Sequence, residues 1–326
     1  MANYLVTGAA GFIASKVTEF LLKEGHTVFG VDNLNHAYDV RMKEYRLEQL
    51  RKSNNFFFFN LDISERAILE FGPLLEPAFS GVINLAARAG VRASVENPWV
   101  YIDTNVTGTC NLLELCQTQG IPKFVLASTS SVYGSNAPLP TPETADSDHP
   151  LQSYAASKKG AETLAHAYHH LYELDVSVVR YFTVYGPAGR PDMVMFRFNQ
   201  WIMEDIPLRL NGDGEQTRGF TYVDDIARGT IAALMPVGYE IFNLGGHEVI
   251  SINQLIHFLE RAVGKPAEVE HFPRHPADMQ VNQADVNKAK RVLSWEPEVN
   301  LEEGIQRMVD WYRQEREWAK QIHTGR

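Results

Sequence analysis

Short, strand-like apolar runs alternate with helical segments through the first half of the chain, and this alternation restricts the possible folds more than any other feature. The helical segments carry apolar residues three or four positions apart, as in Val17, Phe20 and Leu21. Strands that alternate with helices form βαβ units with parallel strands and right-handed crossovers. The sequence therefore predicts an α/β fold with a doubly wound parallel sheet. The predicted strands are 4–6, 27–31, 56–59, 82–85, 124–126 and 176–179.

The character of the sequence changes after Gly186. Glycine and proline become denser, in GPAGRP, NGDGEQTRGF and NLGGH, and the alternation breaks up. We predict a dinucleotide-binding domain over residues 1–186 and a smaller, mixed α/β substrate lobe over residues 187–326. The 326 residues are enough for one large core or two unequal lobes, so later segments could return to the first domain.

The first predicted strand runs into the loop TGAAGFIA, at the start of a predicted helix. Gly8 and Gly11 permit a tight turn and let the backbone approach a pyrophosphate. The N–H groups of Phe12 and Ile13, at the start of the helix, then face the anion. A plain turn is the alternative for a glycine loop alone. Its place between the first strand and a helix indicates a Rossmann-type nucleotide site.

An acidic residue, Asp32, ends the second predicted strand. It lies at about the distance from the glycine loop at which a carboxylate bonds the adenosine ribose hydroxyls. A carboxylate there repels a 2′-phosphate, so NAD is favoured over NADP. The alternative is that Asp32 only caps its loop. Asn33 follows it, and Asp62 and Ile63, after the third strand, are placed to meet the adenine.

A hydroxyl-rich strand end precedes a helix that carries a tyrosine and a lysine. The strand ends at Thr129, and Tyr154 and Lys158 are four residues apart on one helical face. Ionising a tyrosine at neutral pH needs ~4 kcal/mol of differential stabilisation, because its ordinary pKa is ~10. The Lys158 ammonium and a positive nicotinamide ring would supply it, and Thr129 would share the proton path. This is chemistry for hydride transfer at a secondary alcohol; a surface tyrosine–lysine pair is the alternative.

The order of the motifs carries a family resemblance. TGAAGFIA, NLAARAGVRASVENP, STSSVYG, YAASK, RYFTVYGPAGRPDM and GDGEQTRGFTYVDD follow one another as in extended short-chain dehydrogenase/reductases. The run FTVYGPAGRPDM most resembles UDP-glucuronate 4-epimerases. The resemblance covers nearly the whole chain and implies tightly bound NAD, a UDP-sugar substrate and a homodimer formed through helices near 97–118 and 153–174. The chain departs from the family pattern at Ala14, Asn84 and Gly219, where Gly, His and Asp are usual.

The resemblance also implies roles for single residues. Thr129, Tyr154 and Lys158 match the catalytic hydroxyl, the base and the lysine that also holds the nicotinamide ribose. The implied cofactor contacts are Gly8, Gly11, Phe12, Ile13, Asp32, Asn33, Asp62, Ile63, Leu85, Ala86, Ala87, Tyr154, Lys158 and Tyr181. The expected substrate contacts are Arg92, Ser130, Ser131, Thr183, Arg190, Arg218 and Arg274. Of these, Arg218 matches an arginine on the diphosphate, Arg274 is placed to reach the uridine or diphosphate, and Arg92 either lines the cleft or is solvated.

Ser130 and Ser131 bear on the type of reaction. By resemblance, 4,6-dehydratases carry an Asp–Glu pair at these positions, and UDP-glucuronate decarboxylases carry Glu at the second. The serines here favour rotation of a 4-keto sugar and return of hydride to its other face. The expected reaction is the reversible C4 epimerisation of UDP-glucuronate to UDP-galacturonate. UDP-glucose or UDP-N-acetylglucosamine 4-epimerase, UDP-glucuronate decarboxylase and an NAD-responsive binding protein stay open as alternatives.

The assignment of an acid sugar rests on Arg190 and Thr183. Arg190 matches an arginine near the sugar carboxylate, and Thr183 stands where many relatives have Asn. The 4-keto intermediate is a β-keto acid, which loses CO2 when the breaking bond aligns with the carbonyl π system. We hypothesise that Arg190, Thr183 and Ser130 hold the carboxylate out of that alignment. The alternative is that Arg190 pairs with Asp192.

Composition restricts the partners and the location. A formal net charge of -10 provides no basic field for nucleic acid. No apolar run reaches the ~20 residues of a membrane span, and MANYLVTGAAGF shows no signal-peptide pattern. Cys110 and Cys116 lie about 9 Å apart along one predicted helix, too far for a disulfide. These features predict a cytoplasmic protein with no membrane or nucleic-acid partner, and the sequence shows no metal-ligand pattern.

Overall fold

The computed structural model describes residues 1–246, 248–273 and 281–325. Its strands are β1 Asn3–Thr7, β2 Thr27–Asp32, β3 Phe56–Asn60, β4 Phe79–Asn84, β5 Lys123–Thr129, β6 Asp175–Tyr181, β7 Thr183–Tyr185, β8 Leu208–Asn211, β9 Thr217–Tyr222, β10 Tyr239–Leu244, β11 Glu248–Ser251 and β12 Val269–Phe272. Seven of them form a parallel sheet in the order β10-β6-β5-β4-β1-β2-β3. The predicted doubly wound parallel sheet is confirmed.

The helices connect and cover these strands. They are α1 Phe12–Lys23, α2 Arg41–Leu50, α3 Gly72–Leu75, α4 Ala93–Glu96, α5 Trp99–Tyr101, α6 Gly108–Gln119, α7 Ser153–Tyr172, α8 Val194–Met203, α9 Val223–Ala232, α10 Ile252–Val263, α11 Asn287–Leu293, α12 Leu301–Gln314 and α13 Arg316–Ala319. Turns of 3₁₀-helix span Arg66–Glu70 and Ser130–Tyr133, and a π-helical segment spans Ile102–Thr107.

The central strands are buried on both faces, which explains their continuous apolar runs. Successive side chains of a strand point to opposite faces. Val6 and Val125 accordingly belong to one core cluster, with α1 and α9, while Leu5 and Phe124 belong to another, with α6 and α7.

The strand order reverses between β1 and β4, which are neighbours in the sheet although β2 and β3 lie between them in sequence. Their connections leave on opposite faces, so a crevice opens beyond their carboxyl ends, the usual ligand position in such sheets. The last strand of the sheet, β10, comes from residues 239–244, beyond the predicted boundary at residue 186. The chain therefore returns to the large sheet after it has begun the smaller lobe.

The smaller lobe has its own sheets and core. β9 pairs with β7 in parallel and with β11 in the opposite direction, and β8 pairs with β12. Trp201 and Tyr312 are among the largest fully buried side chains of this core. Phe220 and Tyr185 on its three-stranded sheet meet edge to face, with ring centroids 6.2 Å apart. Since β7 also follows directly on β6, the lobe is joined to the large sheet at one strand end.

Gly219, where the family pattern has Asp, lies in β9 against the backbone of Gly246. A Cβ at position 219 would lie 2.5 Å from both the Cα and the carbonyl oxygen of Gly246. Real Cβ atoms do not approach backbone so closely, so a larger residue needs β9 to move. The departure from the family pattern therefore has a steric reason in this chain.

We expect Gly219→Ala to lower the thermal midpoint by an amount that corresponds to about 1–3 kcal/mol, the usual cost of overpacking. Gly72→Ala is the matched control, since position 72 is exposed and has no atom within 4 Å of its built Cβ. Differential scanning calorimetry on both variants measures the effect. Equal midpoints would show that β9 yields freely at this contact.

Candidate functional site

The glycine loop joins β1 to α1 at the crevice. Gly8 has a φ of +70°, a left-handed conformation that favours glycine. A Cβ there would lie 2.8 Å from the amide nitrogen of Ala86, which follows β4. The Gly11 N–H donates to the Gly8 carbonyl at 2.7 Å and closes the turn. Only glycine at position 8 allows the two strand ends to approach this closely.

The first turn of α1 presents main-chain donors to the crevice. Gly11 is the N-cap and provides no side-chain cap, so the first amide groups of the helix, from Phe12 and Ile13, are not capped by a side chain. Such uncapped N–H groups and the positive end of the helix dipole suit an anion. Ala14, in place of the usual third glycine, is buried, with an exposed fraction of 2%. Its methyl group is therefore accommodated in the core.

Asp32 holds its own loop and also pairs with a lysine. Its Oδ2 accepts from the Ala10 N–H at 3.2 Å, and its Oδ1 accepts from the Leu34 N–H at 2.8 Å. Lys43 on α2 donates to the same Oδ1 at 3.2 Å, and both side chains are buried. The sequence left loop capping as an alternative role for Asp32, and these capping hydrogen bonds are present. Ribose binding by Asp32 stays a prediction.

The predicted adenine contacts lie next to Asp32. Asn33 donates from its side chain to Asp62 at 2.7 Å, and Ser64 donates to the other oxygen of Asp62 from its N–H and its hydroxyl. Burial raises the pKa of Asp62, but these hydrogen bonds outweigh burial and hold it below its ordinary value. Ile63 is buried, and its carbonyl accepts from Asn111 at 2.8 Å. Asn33 and Asp62 are therefore held together beside Asp32, and their contact with adenine stays a prediction.

Residues 85–87 follow β4 and run alongside the glycine loop. The Ala86 N–H donates to the Thr7 hydroxyl at 3.3 Å, and that hydroxyl donates to the Asn84 side-chain oxygen at 2.8 Å. The Asn84 amide donates to Thr109 at 3.1 Å. Asn84, where His is usual, thus carries a buried chain of hydrogen bonds that fixes the ends of β1 and β4 relative to α6.

Thr129, Tyr154 and Lys158 converge where β5 meets the start of α7. The Tyr154 phenol is close enough to the Thr129 hydroxyl for that hydroxyl to lower its pKa, and the Thr129 Oγ1 accepts from the Ser131 N–H at 3.2 Å. The Lys158 ammonium donates to the Ala127 carbonyl at 2.8 Å. The structure therefore brings the predicted hydroxyl, tyrosine and lysine together at one strand end.

The pKa values of these groups reflect their burial. Burial raises the pKa of Tyr154 above its ordinary value, while the Thr129 hydrogen bond and the charge of Arg190 act in the opposite direction. Burial lowers the pKa of Lys158 to about 8, and the charge of Glu162 opposes it. The protein alone therefore does not shift Tyr154 toward phenolate. It does leave Lys158 mostly protonated at neutral pH.

A buried ion pair lies behind this cluster. Arg180 on β6 binds Glu162 on α7 through both carboxylate oxygens, at 2.9 and 2.6 Å. Ser128 donates to the same carboxylate at 2.5 Å. Glu162 is one turn beyond Lys158, so the strand end and the helix that carries the lysine are fixed to each other.

The sequence reading missed Asn105. This residue is buried in the π-helical segment, and π-helical turns often occur at functional sites. Its side chain accepts from the Arg88 N–H at 2.9 Å, and donates to the Arg88 carbonyl at 3.0 Å and to Ser157 on α7 at 2.9 Å. It joins the loop after β4 to the residue before Lys158. An Asn among the apolar residues of a helical segment was the only available signal.

The predicted carboxylate-binding residues lie on separate elements around this cluster. Ser130 accepts from the Asn282 side chain at 3.2 Å. Thr183 lies on β7, opposite Phe220 of β9. Arg190 lies in the loop after β7, and its Nη2 lies 3.5 Å from the Ala89 carbonyl, which also accepts from the Tyr101 hydroxyl. The Tyr101 ring centroid lies 6.1 Å from that of Tyr154, and the charge of Arg190 lowers the pKa of that phenol.

Arg190 is paired with Asp192, the alternative that the sequence left open. Its Nε and Nη2 donate to the two carboxylate oxygens at 3.0 and 2.6 Å, and Nη2 also lies 3.5 Å from the Ala89 carbonyl. Although burial lowers the pKa of Arg190, the charge of Asp192 outweighs it and raises the pKa above its ordinary value. The guanidinium is fully charged and has a carboxylate partner with an exposed fraction of 39%.

A cluster of arginines extends the site into the smaller lobe. Burial lowers the pKa of Arg197 on α8, and the charges of Arg92 and Arg209 lower it further. The guanidinium of Arg197 stacks on Trp201 at 4.6 Å, and its Nε has no hydrogen-bond partner among the residues that the structure describes. Arg92 was predicted, whereas Arg197 and Arg209 were not, because no local motif connects α8 with β8. Together they form a concentration of positive charge suited to an anion.

The other predicted contacts have different outcomes. Tyr181 is buried on β6, and its hydroxyl is hydrogen-bonded to Thr230 at 2.8 Å. Its contact with the cofactor stays a prediction and would have to be made by its ring or its backbone. Arg218 on β9 donates to the Thr217 carbonyl at 2.7 Å. Arg274 lies outside the described residues.

Comparison with known proteins assigns this site to a family. The profile of the NAD dependent epimerase/dehydratase family matches residues 4–245. The chain is 59% identical over 324 residues to a UDP-glucuronate 4-epimerase of Thermodesulfobacterium geofontis, and the match covers 99% of each chain. The chain belongs to the NAD dependent epimerase/dehydratase family.

Solved structures of epimerases share the whole fold. A UDP-glucuronic acid 4-epimerase from Bacillus cereus, in complex with UDP-glucuronic acid and NAD, is 36% identical with a TM-score of 0.88, and the match covers 96% of this chain and 99% of that one. A UDP-glucose 4-epimerase from Thermotoga maritima, solved with UDP-glucose, is 34% identical with a TM-score of 0.89 over the same shares.

The residues present fit the NAD of this family. The backbone cradle at Gly8, which a Cβ would fill, and the uncapped start of α1 suit a pyrophosphate. A carboxylate at the end of β2, Asp32, suits ribose hydroxyls and disfavours a 2′-phosphate. Thr129 ends β5, and Lys158 on α7 is bonded to the Ala127 carbonyl of the same strand. Among the described residues, no helix is both long and apolar enough to cross a membrane.

The depressed pKa of Lys158 predicts a pH-dependent stability. The folded protein loses the Lys158 proton near pH 8, whereas the unfolded chain keeps it up to about pH 10.4. Within that window the unfolded state binds more protons, so the free energy of unfolding rises with pH. We expect wild type to gain about 2–3 kcal/mol relative to Lys158→Met between pH 7 and pH 10, in chemical denaturation at both pH values.

Lys159→Met is the matched control, since Lys159 is the next residue of α7 and bonds Ser147 and Asp148 near the surface. Its difference from wild type should stay constant over this pH range. A constant difference for Lys158→Met as well would mean that Lys158 is solvated, contrary to its placement.

Proposed function

We propose that this protein catalyses the reversible C4 epimerisation of UDP-glucuronate to UDP-galacturonate with bound NAD. The observation that carries the proposal is the convergence of Thr129, Tyr154 and Lys158 at the crevice, with Arg190 beside the tyrosine. The relative from Thermodesulfobacterium geofontis and the structure from Bacillus cereus support the choice of sugar, because both are described as epimerases of this acid sugar.

In this proposal Tyr154 removes the proton from the sugar 4-hydroxyl. NAD, when bound, accepts hydride from C4 and returns it, and its positive ring favours the phenolate. The Thr129 hydroxyl, which lowers the pKa of Tyr154, shares the proton path. Lys158, protonated at neutral pH and anchored to Ala127, holds the nicotinamide ribose and adds a second positive charge. In this proposal the two cations act against the effect of burial on Tyr154.

The side chains after Thr129 favour epimerisation. Elimination of water across C5 and C6 needs an acid and a base, and Ser130 and Ser131 provide neither carboxylate. Without elimination, the 4-keto sugar can turn over and be reduced on its other face. Decarboxylation remains to be suppressed, because the intermediate is a β-keto acid.

The proposed carboxylate clamp consists of Arg190, Thr183 and Ser130. Arg190 binds Asp192 in the structure, so the sugar carboxylate must replace that carboxylate or share the guanidinium with it. Exchange of one carboxylate for another preserves the charge pairing and the bidentate geometry. Held by three groups, the carboxylate would be kept out of alignment with the 4-keto π system.

The diphosphate is assigned to the arginines of the smaller lobe. Arg218 matches the family position for this contact, and Arg197 offers an Nε without a partner among the described residues. Arg92 and Arg209 add to the positive potential there. We also assign Arg274 to this end of the substrate, on the resemblance alone.

A homodimer and a cytoplasmic location complete the proposal. Val95, Trp99 and Leu171 have exposed fractions of 67%, 75% and 65%. They lie on α4, α5 and α7, and both short helices contact α7. Exposed apolar side chains on adjoining helices are typical of a protein interface.

Light scattering of the purified protein should give twice the 36.8 kDa chain mass. Trp99→Asp should give monomer, and Met235→Asp, at an exposed residue elsewhere, should not.

An NMR assay of purified protein with UDP-glucuronate tests the reaction. We expect UDP-galacturonate and no UDP-pentose from wild type. Arg190→Ala should weaken UDP-glucuronate binding about tenfold or more and release UDP-pentose, because the carboxylate is no longer held. Arg51→Ala, at an exposed arginine that stacks on Phe58, is the control.

UDP-pentose as the main product of wild type would move the assignment to a decarboxylase. Turnover of UDP-glucose alone would favour the alternative that the Thermotoga maritima structure suggests. The absence of turnover with UDP-glucuronate, UDP-glucose and UDP-N-acetylglucosamine would favour an NAD-responsive binding protein. An Arg190→Ala variant with unchanged binding and products would refute the clamp.

A further inference from the structure

Arg46 is a buried arginine that the proposed reaction does not use. It lies on α2, with an exposed fraction of 4%. It donates to the Ala10 carbonyl at 3.1 Å, to the Ala188 carbonyl at 3.0 and 2.6 Å, and to the Gly189 carbonyl at 3.1 Å. It also donates to the Tyr38 hydroxyl at 2.9 Å. All of these acceptors are neutral oxygens.

Because its acceptors are neutral, the burial of the Arg46 charge in the core is energetically unfavourable. Burying a cation costs free energy that neutral partners recover less fully than a carboxylate does. The planar guanidinium is, however, the only side chain that can direct up to five donors to separate carbonyls at once. Here the Arg46 guanidinium connects loops that no secondary structure joins.

The two loops that Arg46 connects belong to the two halves of the proposed site. Ala10 lies in the glycine loop assigned to NAD. Ala188 and Gly189 directly precede Arg190, which is assigned to the sugar carboxylate. Ala188 has a φ of +51°, a conformation that a residue other than glycine adopts only when its surroundings hold it. The two Arg46 bonds to its carbonyl provide such a restraint.

Ring contacts reinforce the connection. The Arg46 guanidinium lies 5.9 Å from the Phe12 ring centroid, and a Cβ at Gly189 would lie 3.8 Å from the same ring. The guanidinium carbons of Arg46 and Arg190 each lie 5.6 Å from the Tyr38 ring centroid, so both arginines contact this ring. Arg46 therefore fixes Arg190 both through the backbone and through Tyr38.

We propose that Arg46 is a positioning residue that sets the Arg190 guanidinium relative to the cofactor loop and so gives the site its preference for a substrate carboxylate. This inference rests on the proposed role of Arg190. Without Arg46, the loop before Arg190 loses its carbonyl anchors, and Arg190 spends more time away from the position that binds the sugar carboxylate. Groups that bind the UDP part, in the smaller lobe, are not affected.

The test compares two ligands in calorimetry with NAD present. Arg46→Met removes the charge at similar length, and Arg46→Lys keeps the charge but cannot bridge the carbonyls. We expect both to raise the Kd of UDP-glucuronate about tenfold and that of UDP less than twofold. In the Arg190→Ala background, Arg46→Met should change neither Kd by more than twofold, because the affected contact is already absent. Arg51→Met, at the exposed residue directly after the same helix, should change the Kd of neither ligand.

If Arg46 acts in folding alone, its variants would lower the affinity for UDP and for UDP-glucuronate equally. Either this result or unchanged affinity for both ligands would overturn the inference. If Arg46→Met does not fold, Arg46→Lys and Tyr38→Phe, which removes one acceptor and keeps the ring, take its place under the same criterion. If Arg190→Ala leaves the ratio of the two Kd values unchanged, the carboxylate clamp fails and this inference fails with it. If Arg190→Ala changes the ratio and the Arg46 variants do not, only the inference on Arg46 is overturned.

Discussion

The close approach of the ends of β1 and β4 is the constraint on which the rest of the site depends. The strand order reverses there, so the two connections leave on opposite faces and open a crevice. The approach is possible because position 8 has no side chain to strike Ala86. The buried chain from Thr7 through Asn84 to Thr109 then fixes the spacing. Every proposed contact to the cofactor is built outward from this pair of strand ends.

Buried charge holds the rest of the site in place in two different ways. Behind β5, Arg180 and Glu162 satisfy each other and fix the helix that carries Lys158, and the charge of Glu162 opposes the effect of burial on the pKa of Lys158. At the other side, Arg46 is satisfied by backbone carbonyls, and the loop before Arg190 takes its shape from these bonds. Both arrangements are costly unless every donor is used. The burial of these charges therefore fits a role in keeping the proposed catalytic and substrate-binding groups at fixed separations.

The sequence predicted the local pieces well, because each depends on residues close together in the chain. The strand runs, the glycine loop before α1, and Tyr154 and Lys158 one turn apart all follow from periodicity and spacing. The sequence did not predict the interactions between segments that are distant in the chain. Asn105 and Arg197 went unnoticed because their partners are brought to them only by folding.

By itself the sequence determined the doubly wound parallel sheet, the glycine loop before α1 and the side chains that we propose as reactive, since these follow from local pattern and residue chemistry. Only the tertiary structure decided their electrostatic state and their partners. Burial, which no local pattern reports, moves the pKa of Tyr154 up and that of Lys158 down. The pairing of Arg190 with Asp192 and the anchoring of its loop by Arg46 depend on where α2 and the loop after β7 meet. That meeting is a property of the packed fold, because the interacting residues are far apart in the chain.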